Sequence, residues 1–234
     1  MKYDVIIVGS GPGGIYSAYE LMKKCSDKKI AVFDSGYSLK KRHCPIDGEK
    51  VKACIKCKSC SIMSGFGGAG AFSDGKYNIT NDFGGTLYEY IGKKAATELM
   101  QYVDDINMAH GGEGTKMYST AGTNLKKVCL QNRLKLLNAS VRHLGTDINL
   151  VVLGRLYDEL KEHVDFYFES PVSHIECLEN GGYRVWSNDK SYDCEKCIVS
   201  VGRSGSKWME HICKELDIPT KSNRVDLGVR VELP

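Results

Sequence analysis

The sequence lacks several features that mark particular classes of protein. The longest apolar run near the N-terminus, residues 5–8, is too short for a membrane span or a signal peptide, and Asp4 stands where a secretory signal needs positive charge. The 32 basic and 29 acidic residues leave a net charge of only +3, which provides no basic surface for nucleic acid. We therefore expect a cytoplasmic protein that binds neither membranes nor nucleic acid.

Several catalytic signatures are absent as well. The sequence contains no Ser-His-Asp arrangement, no H-E-x-x-H zinc motif and no Walker phosphate loop. What it has in abundance is glycine, with 25 residues, and cysteine, with 10. Because no signal peptide precedes them, the cysteines indicate reduced thiols or a metal site rather than disulfide bonds.

Residues 3–34 have the pattern of a β-α-β unit. Residues 3–8 are mostly apolar and β-branched and predict a buried strand, and residues 30–33 predict a second one. Between them, residues 15–24 carry apolar side chains at helical spacing and predict a helix. The turn between the first strand and the helix fits the pattern G-x-G-x-x-G and reads Gly9-Ser10-Gly11-Pro12-Gly13-Gly14.

This glycine turn has the features that a dinucleotide site needs. Gly9 permits a tight turn, Gly11 lets a pyrophosphate approach the backbone, and Gly14 lets the helix pack closely on the sheet. The helix N-terminus offers free N–H groups to phosphates. Asp34 follows at the usual distance of about 20 residues, where a carboxylate accepts hydrogen bonds from ribose hydroxyls and disfavours NADP. The alternative is a structural turn with no ligand.

The rest of the chain predicts further helices and strands. The predicted helices cover residues 86–108, 125–137, 149–163 and 207–216. The predicted strands cover residues 164–168, 172–178, 183–187, 196–201 and 225–231. Gly181-Gly182 predicts a turn between two of these strands.

These motifs resemble those of the two-dinucleotide-binding-domain flavoproteins. Residues 5–14, with Ala18 one helical turn further on, are similar to the N-terminal motif of that family. Residues 170–173 are similar to its strand whose backbone contacts the adenine, and residues 197–205 to its late strand with a small-residue turn. The resemblance implies an α/β, Rossmann-like FAD/NAD(P)-binding fold with a parallel central sheet, helices and a small antiparallel β-meander.

A more specific resemblance is to bacterial proteins described as uncharacterised FAD-dependent dehydrogenases. Its marks here are Cys44-Pro45, the cysteines at 54, 57 and 60, and residues 65–70, 72–76 and 225–230. It implies an oxidoreductase, either a dehydrogenase or a reductase, that passes electrons through FAD to or from a small-molecule substrate or redox partner. The implied cofactor-binding residues are Gly9, Gly11, Pro12, Gly13, Gly14, Asp34, Ser35, Arg42, Gly67, Gly68, Ala69, Val172 and Gly202.

The resemblance also divides the chain into parts. It implies an FAD-binding domain over residues 1–206, with a Cys/Gly-rich insertion at about 36–84 and a helical insertion at about 86–163. Residues 207–234 would begin a truncated substrate domain. The late Gly-Asp element of these flavoproteins has no counterpart here, so we expect the N-terminal part of a longer protein. The alternative function is a non-catalytic module that binds FAD or ADP.

Four cysteines form a candidate metal site. Cys54, Cys57 and Cys60 follow the pattern C-x-x-C-x-x-C, and Cys44 lies upstream beside a proline. Four thiolates can bind zinc or hold an iron–sulfur cluster, which would suit electron transfer with a flavin. A redox-active dithiol and free cysteines remain as alternatives.

Two residues are candidates for catalysis, and both lie near glycine-rich segments. In the flavoproteins that the sequence resembles, a loop at residues 67–70 runs beside the flavin ring, so Ser73, Asp74 and Lys76 would be within reach of the flavin or the substrate, with Asp74 the catalytic candidate among them. His143 is a candidate general acid or base. The alternatives are a flexible surface loop for the glycine segment and a structural role for His143.

Overall fold

The computed structural model describes residues 1–179, 181–222 and 228–229. Its strands are β1 (Lys2–Val8), β2 (Ile30–Phe33), β3 (Lys76–Ile79), β4 (Met117–Ser119), β5 (Ser140–His143), β6 (Val164–Tyr167), β7 (Val172–Cys177), β8 (Tyr183–Ser187) and β9 (Lys190–Val199). Its α-helices are α1 (Pro12–Lys24), α2 (Tyr88–Ile91), α3 (Lys93–Asn107), α4 (Leu125–Gln131), α5 (Gly145–Leu160) and α6 (Ser206–Glu215). The strand predicted over residues 225–231 lies outside the described residues except at 228 and 229.

The central sheet has six strands in the order β6-β2-β1-β9-β8-β7. Strands β6, β2, β1 and β9 are parallel, whereas β7, β8 and β9 form an antiparallel meander. The first strand of the chain therefore lies in the middle of the sheet, and its neighbour β9 is the last strand along the chain within the described residues. The parallel sheet with a small antiparallel meander confirms the fold class expected from the sequence.

The central strand β1 carries apolar residues at consecutive positions, such as Ile6 and Ile7. Because consecutive side chains of a strand point in opposite directions, both faces of the sheet are apolar there. Ile7 is buried in one core cluster with Ile15 of α1 and Leu156 of α5. Ile6 is buried in the second cluster with Ile212 of α6. Each such fully buried side chain contributes about 2 kcal/mol to folding. Since both faces of β1 are covered, the turn that follows it starts from a fixed position.

Several predicted boundaries were wrong, and most of the errors fall in the middle of the chain. The helix predicted over residues 86–108 is broken into α2 and α3 at Gly92, whose φ is 83°. The helix predicted over 125–137 ends at Gln131. The strand predicted over 196–201 begins earlier, at Lys190. The sequence reasoning also missed a three-stranded antiparallel sheet in the order β3-β5-β4.

A buried ion pair attaches this second sheet to α3. Asp104 is buried, and its carboxylate accepts hydrogen bonds from Nε and Nη2 of Arg142 at 3.1 and 2.7 Å. The third donor of the guanidinium, Nη1, bonds to the carbonyl of Thr115 at 2.5 Å. Arg142 is therefore oriented by contacts from two separate segments.

Replacing Asp104 with alanine is expected to lower the free energy of unfolding by about 3 kcal/mol, since it leaves the Arg142 charge without its partner. Urea denaturation followed by circular dichroism measures the change. The matched control is Asp158→Ala, which removes an exposed carboxylate 2.6 Å from Lys161 and should cost less than about 0.5 kcal/mol. Equal losses in the two variants would contradict a structural role for the buried pair.

None of the helices formed by the described residues has the length and hydropathy that a membrane span requires.

Candidate functional site

The candidate site lies where the parallel strands β1 and β2 end. The N–H of Gly9 donates to the carbonyl of Phe33 at 2.8 Å, which ties the end of β1 to the end of β2. A Cβ atom on Gly14 would lie 1.9 Å from the Gly9 carbonyl oxygen. This position therefore requires glycine, and the close approach sets the path of the turn into α1.

Helix α1 begins at this turn and directs its N-terminus toward the candidate site. Its first residue is Pro12 and its N-cap is Gly11, which provides no side-chain hydrogen bond. The first turn contains no acidic residue. Uncapped N–H groups and the positive end of the helix dipole favour an anion such as a pyrophosphate. The predicted phosphate contacts of Gly11, Pro12, Gly13 and Gly14 remain predictions that this geometry suits.

Asp34 lies beside the turn, and protein groups surround its carboxylate. Oδ2 accepts hydrogen bonds from the N–H and the hydroxyl of Ser10 at 2.8 and 2.7 Å. Oδ1 accepts from the N–H groups of Gly36 and Gly65 at 2.7 and 3.0 Å. A carboxylate offers about four acceptor positions, so these contacts fill it. Asp34 thus joins three chain segments, and its predicted ribose contact would have to replace one of these bonds.

The glycine-alanine loop packs directly on the glycine turn. The N–H of Gly67 donates to the carbonyl of Ser10 at 2.8 Å. A Cβ atom on Gly68 would lie 3.1 Å from the Cα of Gly11. The structure therefore brings together two of the glycine segments that the sequence reasoning singled out. Ala69 follows in the same loop and is exposed.

Arg42 has a role that the sequence did not indicate. It is only 5% exposed, and its guanidinium donates to the carbonyls of Ser61, Ile62 and Phe66 at 2.8, 2.8 and 2.6 Å. Burial lowers its pKa to about 10, so the side chain remains protonated near neutral pH. Arg42 holds the segment before the glycine-alanine loop in place, and its contact with a cofactor remains a prediction.

The other predicted cofactor residues lie around the same edge of the sheet. Ser35 directly follows Asp34 and is exposed. Ser170 donates its N–H to the Asp34 carbonyl at 2.9 Å, which brings the start of β7 and buried Val172 to this edge. The hydroxyl of Ser200 bonds to the Gly9 carbonyl at 3.1 Å, so Gly202 follows close behind the turn. These placements suit the predicted adenine strand and late turn but do not test them.

The two catalytic candidates lie close together. Asp74 Oδ2 is 2.7 Å from the ammonium group of Lys76, and this hydrogen bond holds the pKa of the Asp74 carboxyl below its usual value. His143 lies opposite Lys76 in the register of β3 and β5, and it also interacts with Asp74 electrostatically. Both candidates are exposed, Asp74 just before β3 and His143 at the end of β5. Their catalytic roles remain predictions.

The structure does not bring the four cysteines of the candidate metal site together. Cys54, Cys57 and Cys60 are exposed and Cys44 is half-buried, all as free thiols. Among the described residues, no group of three or more His, Cys, Asp or Glu side chains is arranged to hold a metal ion. The loop therefore gives no support to a zinc or iron–sulfur site.

A buried polar network beneath the loop was missed by the sequence reasoning. Asn149 donates to the Gly70 carbonyl at 2.9 Å and accepts the hydroxyl of Tyr77 at 3.0 Å. Close by, the hydroxyl of Tyr16 donates to Asn107 at 2.6 Å. Burial raises the pKa of both tyrosines, so both hydroxyls remain protonated. The only local signal is a lone Asn on the apolar face of α5, which is too weak to reveal the network.

Comparisons with known proteins show the fold but not the family. No family model matches the sequence. A protein of Clostridium beijerinckii, described only as uncharacterised, is 24% identical over 236 residues, which cover 100% of this chain and 37% of the relative. The chain thus spans little more than a third of that relative.

Two solved structures are similar in fold. Glycine oxidase from Geobacillus kaustophilus superposes with a TM-score of 0.51 and 15% identity, covering 92% of this chain and 58% of the oxidase. NikD, an amino acid oxidase essential for nikkomycin biosynthesis, superposes with a TM-score of 0.50 and 10% identity, covering 92% of this chain and 54% of NikD. At these identities the likeness establishes the fold alone, which is the Rossmann-like α/β fold that the chain shares with both oxidases.

Proposed function

We propose that this chain binds FAD and forms the FAD-binding part of an oxidoreductase. The observation that carries the proposal is the packing of the glycine-alanine loop on the glycine turn, through the 2.8 Å bond from Gly67 to Ser10. A glycine turn alone accounts for the ADP half of a dinucleotide. A second segment without bulky side chains beside the turn supplies a surface on which a flat ring can lie.

The residues at this edge fit the parts of FAD. The uncapped N-terminus of α1 suits the pyrophosphate. Gly11 has no side chain, and a Cβ atom there would have no protein neighbour nearer than 3.8 Å, so the space above the turn is open. The glycine-alanine loop would lie beside the ring, and bound flavin would supply hydride or electron transfer.

The chain's own residues would bind and orient this cofactor. Asp34 and Arg42 fix the loops that form the walls of the site, and Asn149 fixes the carbonyl of Gly70. Preorganised loops reduce the entropy lost when a ligand binds. Asp74 and His143 are the candidates for proton transfer beside the site. The reaction partner of the whole protein would be a small molecule or a redox protein.

The test is a titration of the purified chain with FAD, followed by flavin fluorescence and by co-elution of protein and flavin. We expect saturable binding that ADP competes for. Gly11→Ala should weaken it at least about tenfold, because the new methyl group occupies the space of the pyrophosphate. The backbone of Gly11 has φ −74°, which alanine adopts freely, so the fold should be kept.

The matched control is Gly154→Ala on α5, where a Cβ atom meets nothing within 4 Å. It should bind FAD as the wild type does. A wild-type chain that takes up no FAD would overturn the proposal. Binding of FAD without turnover of any electron donor would favour the non-catalytic module instead.

A further inference from the structure

A cleft opens directly beside the proposed cofactor site. It has a volume of about 450 Å³ and reaches from Pro12 and Gly70 to the second sheet and to α3. Clefts of this size are typical of sites for small ligands. Because Pro12 and Gly70 belong to the glycine turn and the glycine-alanine loop, one end of the cleft meets the place where the proposed flavin ring would lie.

One wall of the cleft is apolar. It is formed by Phe83, Leu87, Tyr88 and Met100. Leu87 is 45% exposed, so this wall presents an apolar surface to solvent. A ligand that buries such a surface gains free energy in proportion to its own apolar area.

Polar residues also line the cleft, and two of them are already engaged with each other. Tyr77 and Asn149 line it and bond to each other at 3.0 Å. The amide of Asn149 also bonds to the Gly70 carbonyl at 2.9 Å. Both side chains are neutral, so they leave the recognition of a charged ligand to another residue.

Lys76 is the charged residue among the described residues that line the cleft. Its ammonium group pairs with Asp74 at 2.7 Å, with side chains 52% and 57% exposed. A pair this exposed is screened by water and contributes little to stability. An anionic ligand can therefore take the place of Asp74 at small cost.

We propose that this cleft is the substrate site and that it takes a mainly apolar molecule carrying one anionic group, which Lys76 binds. The inference rests on the proposed function for the identity of the neighbouring cofactor. The apolar wall binds the body of the substrate, and the ammonium group fixes its anionic end.

The test uses two fluorescent probes that share an aromatic body and differ in charge. Anilinonaphthalene sulfonate carries one anionic group, and phenylnaphthylamine carries none. Both are titrated into the chain in the presence of excess ADP, which keeps the probes away from the glycine turn. We expect Lys76→Gln to weaken sulfonate binding about fivefold and to leave phenylnaphthylamine binding within about twofold.

A second variant should change the affinity for the sulfonate probe in the opposite direction. Asp74→Asn releases Lys76 from its partner and should strengthen sulfonate binding. Lys94→Gln is the matched control, since Lys94 is 91% exposed and pairs only loosely with Glu98 at 3.8 Å. It should leave both probes unaffected. Responses equal to those of this control in both the Lys76 and the Asp74 variants would overturn the inference.

The outcome is separable from that of the FAD titration. Charge-dependent probe binding in a chain that takes up no FAD would overturn the proposed function and keep the anionic-ligand site. If the chain takes up FAD but the Lys76→Gln variant binds the sulfonate probe as the wild type does, this inference alone would be overturned.

Discussion

Replacing Gly14 with alanine is expected to lower the free energy of unfolding by about 3 kcal/mol. The new Cβ atom would lie 1.9 Å from the carbonyl oxygen of Gly9 and 3.0 Å from its carbonyl carbon. Both atoms are backbone, so no flexible side chain can move aside. The Gly9 carbonyl also accepts the Ser200 hydroxyl at 3.1 Å, which further resists displacement.

Urea denaturation of the ligand-free chain measures this loss. Gly154→Ala is again the matched control, because it introduces the same methyl group into open space within a helix. It should stabilise the chain by roughly 0.5–1 kcal/mol, since alanine favours the helix over glycine. A Gly14 variant within about 1 kcal/mol of the wild type would show that α1 can shift away from the turn.

Replacing Asp34 with alanine is expected to cost about 3 kcal/mol in the absence of any ligand. The substitution leaves the N–H groups of Ser10, Gly36 and Gly65 without their charged acceptor, and hydrogen bonds to charged groups are worth roughly 1.5–3 kcal/mol each. Because water has partial access to the site, the expected loss is smaller than the sum of these three hydrogen bonds. The three segments would lose the group that joins them.

Asp47→Ala is a close control for this variant. Asp47 also accepts three backbone N–H groups, those of Glu49, Lys50 and Val51, at 2.9, 2.8 and 2.8 Å. Its contacts are local and exposed, so water can replace them and the cost should be below about 1 kcal/mol. If Asp34→Ala keeps the wild-type stability but loses ADP binding, Asp34 acts as the ribose ligand that the sequence predicted.

The β-α-β unit could be predicted from the sequence because its determinants are local. The apolar residues of β1 and β2, the glycines between them and the helical spacing in α1 all lie within residues 2–33. The meander formed by β7, β8 and β9 was also found, apart from the early start of β9 at Lys190. In both regions the hydrophobic period matches the structure that forms.

The second sheet escaped prediction for a physical reason. Strands β3, β4 and β5 have only 4, 3 and 4 residues. They are largely exposed or half-buried, so no alternation of apolar side chains marks them. Their pairing joins segments that are far apart in the chain, as does the contact between Arg142 and Asp104, and single-sequence patterns do not report such contacts.

The glycines of the candidate site could be predicted from the sequence, but the residues that hold its loops in place could not. The groups that fill the Asp34 carboxylate include Gly65, which is remote in sequence. Arg42 was placed among cofactor residues, yet its donors meet carbonyls of the chain. The regular spacing of Cys54, Cys57 and Cys60 suggested a ligand set, but a loop without regular structure leaves their side chains in solvent.

The place of β1 in the sheet has a consequence for folding. Its two neighbours are β2, which follows almost at once, and β9, which ends at Val199. During synthesis one edge of this apolar strand stays unpaired until most of the described chain has left the ribosome. Pairing between such distant segments is slow, and an open apolar edge invites association with other chains. The strand that leads into the proposed nucleotide site is thus also a segment of the nascent protein that stays open to wrong pairing.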